Sequence, residues 1–233
     1  MKTNNKTPSV VPIKLGIVKS FIIKGEKTVI IDTGYPGNGN KILHNLQENS
    51  IKPEDISLIV ITHGHIDHYG SAEELRKLTG APIAIHRADA EYLEKGINYI
   101  GTPVDLFGRV TKSLFIRTDE FVSKSLKVDI VFDDEVDLLE FGIDGRIINT
   151  PGHTDGSVSL ILSGREAIVG DLIMGGILFR GVPRYPLFVS DISKLRESIK
   201  RVIQLSPKII YPSHGGPFTR AIVEKFLRKA LKI

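Results

Sequence analysis

From Thr62 to Gly70 the chain reads THGHIDHYG, which places His63, His65, Asp67 and His68 within six positions directly after the apolar run ISLIV. Imidazole is the commonest protein ligand for metal ions, and carboxylate complements it for harder cations. One histidine after a strand ordinarily packs or meets water, whereas four ligand-type side chains in one short stretch point to a cation site. Alternate residues of an extended segment share a side, so His63, His65 and Asp67 are expected to face one cavity as the chain leaves the strand. His68 breaks that alternation and is expected to reach a neighbouring point through the next turn, with Gly64 and Gly70 permitting sharp bends.

Four such ligands cannot all surround one tetrahedral ion without strain, so further donors are expected from elsewhere. The chain has 7 histidines and no cysteine, which restricts any site to nitrogen and oxygen donors. His153 lies in TPGHT and His214 in YPSHGG, each in a turn rich in Gly and Pro, and Asp171 ends EAIVGD. All follow strand-like segments, and functional side chains gather at the carboxyl ends of buried strands. The set reads as a dinuclear centre whose donors would accept zinc, manganese or iron. His44, on a polar helix face, and His86, after a strand, are expected to stay outside it.

The elements that must position these residues are visible as changes of period. Segments 17–24 and 27–32 flank Gly25-Glu26 as a hairpin, and a polar helix is expected near 39–49 with Ile42, Leu43 and Leu46 on one side. The run 56–61 reads as a strand buried on both faces. Ser71-Ala72-Glu73-Glu74 reads as a capping box for a helix over 72–78 that Gly80 closes. After a strand at 81–86, residues of about 87–126 have mixed signals and are expected to be an insertion that could cover a site. Strands are expected at 128–132, 136–141 and 145–149, then a hairpin around Gly164. A helix through Ile192, Leu195, Ile199 and Val202, a strand at 208–211 and a helix from Pro217 complete the chain. No linker interrupts it, so one domain over 1–233 is expected, with two sheets and helices outside.

Bulk composition narrows the functional classes. Hydrophobic residues at 41% and charged residues at 25% suit an ordinary globular core, and no apolar run reaches the ~18 residues of a membrane span. The opening residues lack an apolar leader, so a cytoplasmic protein without a membrane role is expected. Net charge is +4, and the basic residues of the last helix are read as a solvated face or a homodimer contact. No aromatic residues alternate with them to stack bases, which makes nucleic acid the weaker partner class.

THGHIDH, TPGHT, Gly170-Asp171 and Ser213-His214-Gly215, in this order, resemble the metallo-β-lactamase superfamily over essentially the whole chain. The resemblance implies an α/β fold, a four-layer αββα sandwich, with two metals at the edge between its sheets. It implies that His63, His65 and His153 hold one metal, that Asp67, His68 and His214 hold the other, and that Asp171 bridges them. Asp32, in Asp32-Thr33-Gly34, matches the family's usual turn and would support the site from behind. Two divalent ions, zinc first with manganese or iron as substitutes, would share a hydroxide that attacks the substrate, with catalytic Asp67 orienting it or moving its proton.

Among the family's chemistries, the bridging aspartate resembles the glyoxalase II, lactonase and phosphodiesterase branches. Only nineteen residues follow His214, which argues against the helical glutathione domain of glyoxalase II, and Met174 stands where related lactonases carry a tyrosine. Hydrolysis of a carboxylic ester, thioester or lactone is therefore expected. Phosphodiester or RNA cleavage is the alternative, and a metal-holding or nucleic-acid-binding module without turnover the third reading. Tyr69, Arg180, Arg184 and Tyr185 are the expected substrate contacts, with Phe107, Arg109 and Phe115 as further wall candidates for an anionic or acyl small molecule.

Overall fold

The computed structural model describes residues 7–115, 120–122, 125–175 and 181–231. Strands β1 (Ser9–Leu15), β2 (Val18–Lys24) and β3 (Thr28–Ile31) form an antiparallel meander. Helix α1 (Gly39–Glu48) then crosses to β4 (Ile56–Val60), which lies parallel to β3. The short helix α2 (Ile66–Tyr69) and helix α3 (Ala72–Thr79) lead to β5 (Ile83–His86), parallel to β4. Helix α4 (Arg87–Lys95) follows at once. Strands β6 (Ile97–Tyr99) and β7 (Thr102–Pro103), helix α5 (Leu106–Phe115) and strand β8 (Glu120–Val122) come next, before β9 (Ile130–Phe132) completes a six-stranded sheet beside β5.

The second sheet is built from β10 (Val136–Asp137), β11 (Gly145–Asn149), β12 (Val158–Leu162) and β13 (Glu166–Ile168). Two short ladders follow: β14 (Met174–Gly175) pairs with β15 (Pro183–Arg184), and β16 (Phe188–Val189) pairs with β7. Helix α6 (Ile192–Gln204) returns the chain to β17 (Ile209–Tyr211), parallel to β13, and β18 (Phe218–Thr219) leads into helix α7 (Arg220–Leu231). The order in this sheet is β10-β11-β12-β13-β17-β18.

Side chains on a strand alternate between its faces, and the burial follows that period. Phe21, Ile23, Val29, Ile31, Leu58 and Val60 of the first sheet meet Ile147, Val158, Leu160 and Ile168 of the second in one apolar layer. The intervening Ile22, Ile30 and Ile59 turn the other way and pack against Ile42, Leu46, Leu75 and Leu93 of α1, α3 and α4. On the far side, Ile148, Ala167 and Ile210 pack against Leu195, Ile199 and Val202 of α6 and Val223 and Leu227 of α7. Both sheets are thus apolar on two faces, which produces the four-layer αββα sandwich of the expected class. Among the described residues no helix is long and apolar enough to cross a membrane.

Several local expectations are corrected. The chain before residue 17, read only for a leader, contains β1, an edge strand that tolerates Pro12 because a sheet edge leaves backbone donors unpaired. Segment 136–141 is not one strand: after β10 it coils into a 3₁₀ turn over Leu139–Phe141, closed by Gly142 at φ +76°. Pro217 does not start the last helix, because β18 first pairs with β17 and the helix begins at Arg220. The Ser71 capping box does not form. The Ser71 hydroxyl instead donates to the Tyr35 carbonyl and accepts from the Asn38 amide, both at 2.8 Å, tying the turn after β3 to α3. Within 87–126, α4 is part of the core through Ala90 and Leu93.

Leu160 lies between the sheets at 0% exposure. Leu160→Ala should cost about 2–5 kcal/mol through lost burial and the cavity left behind. Urea unfolding of wild type and variant checks this, and a loss under about 1 kcal/mol would contradict the packing described.

Candidate metal centre

The strands deliver their carboxyl ends to one rim of the sandwich. Asp32 follows β3, His63 follows β4, Asp171 follows β13 and His214 follows β17, while His153 lies in the turn between β11 and β12. Backbone bonds lock these turns together. The Val158 amide donates to the Thr62 carbonyl at 2.9 Å, joining the two sheets, and the Ser213 amide donates to the Gly170 carbonyl at 3.0 Å. Lys19 of β2 donates its ammonium to the carbonyls of Pro212 and Gly215 on either side of His214.

The seven expected side chains are brought together. His63, His65 and His153 form one group, Asp67, His68 and His214 a second, and His63, His68 and Asp171 a third, the ligand atoms of each lying within 4.8 Å of one another. Asp171 spans the first two: its Oδ2 is 3.7 Å from His153 Nε2 and 3.5 Å from His214 Nε2. The extended alternation expected for 63–67 stops at His65, where α2 begins, so Asp67 and His68 reach the second group from a helical turn. Gly64 does lie in a bend, but Gly70 does not act by bending. Gly70 has an ordinary helical φ of −57°, and what demands glycine there is Pro36, 2.4 Å from where a Cβ would stand.

Each imidazole has one nitrogen committed to a protein acceptor, the arrangement that fixes the tautomer of metal-binding histidines. Nδ1–H of His68 donates to Asp32 Oδ2 at 2.7 Å, that of His153 to the Phe188 carbonyl at 2.9 Å, and that of His214 to the Ile17 carbonyl at 3.0 Å. His65 donates through Nε2 to the Tyr99 carbonyl at 2.9 Å, and His63 through Nδ1 to the Thr62 hydroxyl at 3.1 Å. The Thr62 hydroxyl is itself oriented by donating to Asp32 at 2.8 Å.

The remaining nitrogens carry lone pairs that converge. His65 Nδ1 lies 3.1 Å from His63 Nε2 and 3.0 Å from His153 Nε2, which is repulsive unless a cation sits among them. His68 Nε2 and Asp171 Oδ1 are buried, 3.8 Å apart, and have no hydrogen-bond partner. Buried polar atoms left unpaired are costly, and these two are a donor set suited to an ion. The residues present therefore fit two divalent cations.

The charges divide the site into unlike halves. Burial, reinforced by the neighbouring imidazoles, lowers His63 well below the usual histidine range and takes His153 to about 4. Burial also opposes the charge of His68, but Asp67, Asp32 and Asp171 outweigh it and push His68 up to about 10, so a cation would take the Nε2 lone pair by displacing a proton. For Asp67 burial is outweighed by His68 and His214, which hold its carboxyl well below the usual range.

Other expected contacts lie elsewhere. Tyr69, at 2% exposure, is a core residue, because α2 turns its ring inward against the apolar layer under the first sheet. Arg184 and Tyr185 line a cavity whose described walls include none of the seven candidate ligands, and Arg184 is bonded to Asp105 at 3.1 Å. Phe107 and Arg109 are exposed on α5. Arg180 and the Phe115 side chain lie outside the described residues. His44 pairs with Glu48 on the surface, and His86 accepts from the Ala88 amide at the start of α4.

The sequence reading missed two further groups. Tyr35, 40% exposed, is raised to about 12 by partial burial and by the charges of Asp67 and Asp171, so its hydroxyl stays protonated beside the carboxylates. Asp89 of α4 is fully buried and accepts from the Gly64 amide at 2.8 Å, the Gly156 amide at 2.9 Å and the Thr154 hydroxyl at 2.6 Å. It clamps the loop of His63 and His65 to the loop of His153. Gly156 was the available signal: a Cβ there would stand 2.5 Å from the Asp89 carboxylate.

A sequence profile described as the metallo-beta-lactamase superfamily matches residues 13–214. A probable metallo-hydrolase of Methanocaldococcus jannaschii is 30% identical over 200 residues, covering 84% of this chain and 86% of that protein. The crystal structure of an archaeal metallo-beta-lactamase superfamily protein from Sulfolobus tokodaii has 27% identity and a TM-score of 0.65, covering 97% of this chain and 86% of that one. Another solved structure, of a protein in a di-iron-bound form, has 26% identity and a TM-score of 0.66, covering 93% and 98%.

Asp89→Ala should lower stability by about 3 kcal/mol or more, since two buried amides lose a charged acceptor. Asp89→Asn, which keeps one carbonyl oxygen, should lose less. Urea unfolding together with the bound zinc per chain checks this. Both variants within about 0.5 kcal/mol of wild type, with full metal content, would remove the clamp from the account.

Proposed function

The chain belongs to the metallo-β-lactamase superfamily and is a metal-dependent hydrolase, and from that premise we propose that it cleaves carboxylic esters, thioesters or lactones. The observation that carries the reading is the convergence of seven buried or half-buried ligand side chains, with His68 Nε2 and Asp171 Oδ1 unpartnered among them. His63, His65 and His153 would hold one divalent cation and Asp67, His68 and His214 the other, with Asp171 facing both. Zinc suits these nitrogen and oxygen donors, and iron is the substitute that the di-iron-bound relative supports. Bound there, two such cations supply Lewis acidity and lower the pKa of a water from about 15.7 to about 7.

The chain's own groups then divide the remaining work. His68 and His214 hold the Asp67 carboxyl well below the usual range, and as a carboxylate it would accept a hydrogen bond from the attacking water and orient it. Tyr35 keeps its proton and can donate to oxygen on which negative charge develops. No serine or cysteine nucleophile is required.

The surroundings favour a carboxylic electrophile over a polynucleotide. Lys225 and Lys229 of the last helix border a cavity whose described walls include none of the seven candidate ligands, so among the described residues they give no cationic track to the cluster. Polynucleotide binding relies on cations that neutralise successive phosphates. A small acyl substrate does not.

The test is the initial rate of the zinc-reconstituted protein on a γ-lactone, an acyl thioester and bis(p-nitrophenyl) phosphate, with Asp67→Ala beside it. The acyl substrates should be preferred, and the variant should lose about 10²–10⁴-fold in rate while remaining folded. A preference for the phosphodiester would overturn the acyl reading.

A further inference from the structure

A second cavity, of about 950 Å³, opens between α7 and the β15 segment. On α7 the residues Ile222, Lys225, Phe226 and Lys229 recur at helical spacing and border it, Phe226 packing at the same time against the core under α6 and α7. Tyr185 and Arg196 form the opposite wall. The Tyr185 ring meets Phe226 edge-on at 4.9 Å, and the Arg196 guanidinium lies over the Tyr185 ring at 5.6 Å. The basic residues of the last helix, expected as a solvated face or a homodimer contact, thus include two that border a cavity.

The polar atoms in this wall are unsatisfied. Tyr185 Oη and Arg196 Nε are shielded from water and have no hydrogen-bond partner. Among the described residues no ion pair is formed by Arg196, Lys225 or Lys229. The one acidic side chain in the described lining, Asp105, is already bonded to Arg184 at 3.1 Å and to the Gly108 amide at 2.8 Å. The cavity therefore combines an apolar, aromatic floor with positive charge that no described acidic side chain pairs. Pockets of roughly 300–1,000 Å³ with a mostly apolar lining and a few convergent polar groups are the usual form of small-molecule sites.

We propose that this cavity is a second binding site, for an amphiphile with an alkyl or acyl chain and an anionic head group, carboxylate or phosphate. The chain would lie against Phe226, Ile222 and Val182, and the head group would pair with Lys225 and Lys229 and with the guanidinium of Arg196 on the cavity wall. None of the described lining residues belongs to the metal cluster. The link between the two is the β14–β15 ladder: Pro183 and Arg184 line the cavity, and Gly175, paired with Pro183, donates its amide to the His214 carbonyl at 2.7 Å. The site is independent of which substrate the metal centre hydrolyses.

Calorimetric titration of the full-length protein, once zinc-loaded and once treated with EDTA, with decanoate, decyl phosphate, decanol, acetate and inorganic phosphate tests this. Decanoate or decyl phosphate should bind with the same affinity in both preparations, and the stronger of the two identifies the head group. Decanol, acetate and inorganic phosphate should bind at least about tenfold more weakly. Lys225→Gln combined with Lys229→Gln should weaken the anionic ligand about tenfold and leave decanol unchanged. Decanol binding as tightly as decanoate, affinity that vanishes with the metal, or no binding of either anion at millimolar concentration would each overturn the proposal.

Discussion

The Asp32 carboxylate is the contact on which the rim of this sandwich depends. It is fully buried at the end of β3 and accepts from the Thr62 amide, the Thr62 hydroxyl, His68 Nδ1 and the Ser213 hydroxyl. A buried carboxylate is tolerable only when its oxygens are satisfied, and these donors come from three different parts of the rim. The loop after β4, the turn of α2 and the loop after β17 are thereby referred to one point. Holding that point requires an unusual backbone, with Asp32 at φ +55°, in the left-handed region that aspartate enters more readily than bulkier residues. The interaction also explains why His68 Nε2 faces the cluster, since Asp32 occupies the other ring nitrogen.

What the chain declares locally was legible in its sequence. His63, His65, Asp67 and His68 lie within one short stretch, and His153, Asp171 and His214 each follow an apolar run that can only be a buried strand. The continuous apolar run 56–61 likewise reads as a strand buried on both faces, and Leu58 and Val60 pack between the sheets while Ile59 and Ile61 pack outward. What was not legible depends on contacts between distant residues. Asp89 is 67 positions from the Gly156 amide it accepts from, and nothing in RADAEYLEK distinguishes it from a solvated helix carboxylate. Tyr69 misled for the complementary reason: it adjoins the ligands in sequence, yet the helical turn of α2 sends its ring into the core. Ser71 met every rule for a capping box and was claimed by Tyr35 and Asn38 across the fold.

The two halves of the metal cluster are chemically unequal. One presents three imidazoles, of which burial keeps His63 and His153 neutral, while the other mixes imidazole with Asp67 in the field of Asp171. The all-nitrogen half favours borderline cations, and the half with carboxylate accommodates harder ones. Asp171, facing both, couples them. The supports behind the ligands differ in the same way: backbone carbonyls hold His65, His153 and His214, whereas a charged carboxylate holds His68.

The crowding of four ligand side chains between positions 63 and 68 has a consequence for the unfolded chain. His153, Asp171 and His214 can join them only after both sheets have docked, because their loops belong to the second sheet. The THGHIDH stretch, in contrast, remains a local chelating segment when the rest of the chain is random. A cation can therefore bind the denatured ensemble as well as the native one. Any affinity for the unfolded state subtracts from the stabilisation a ligand confers on the folded state. A cation held by all seven candidate ligands would stabilise the native state by what the three distant ones add beyond the local segment.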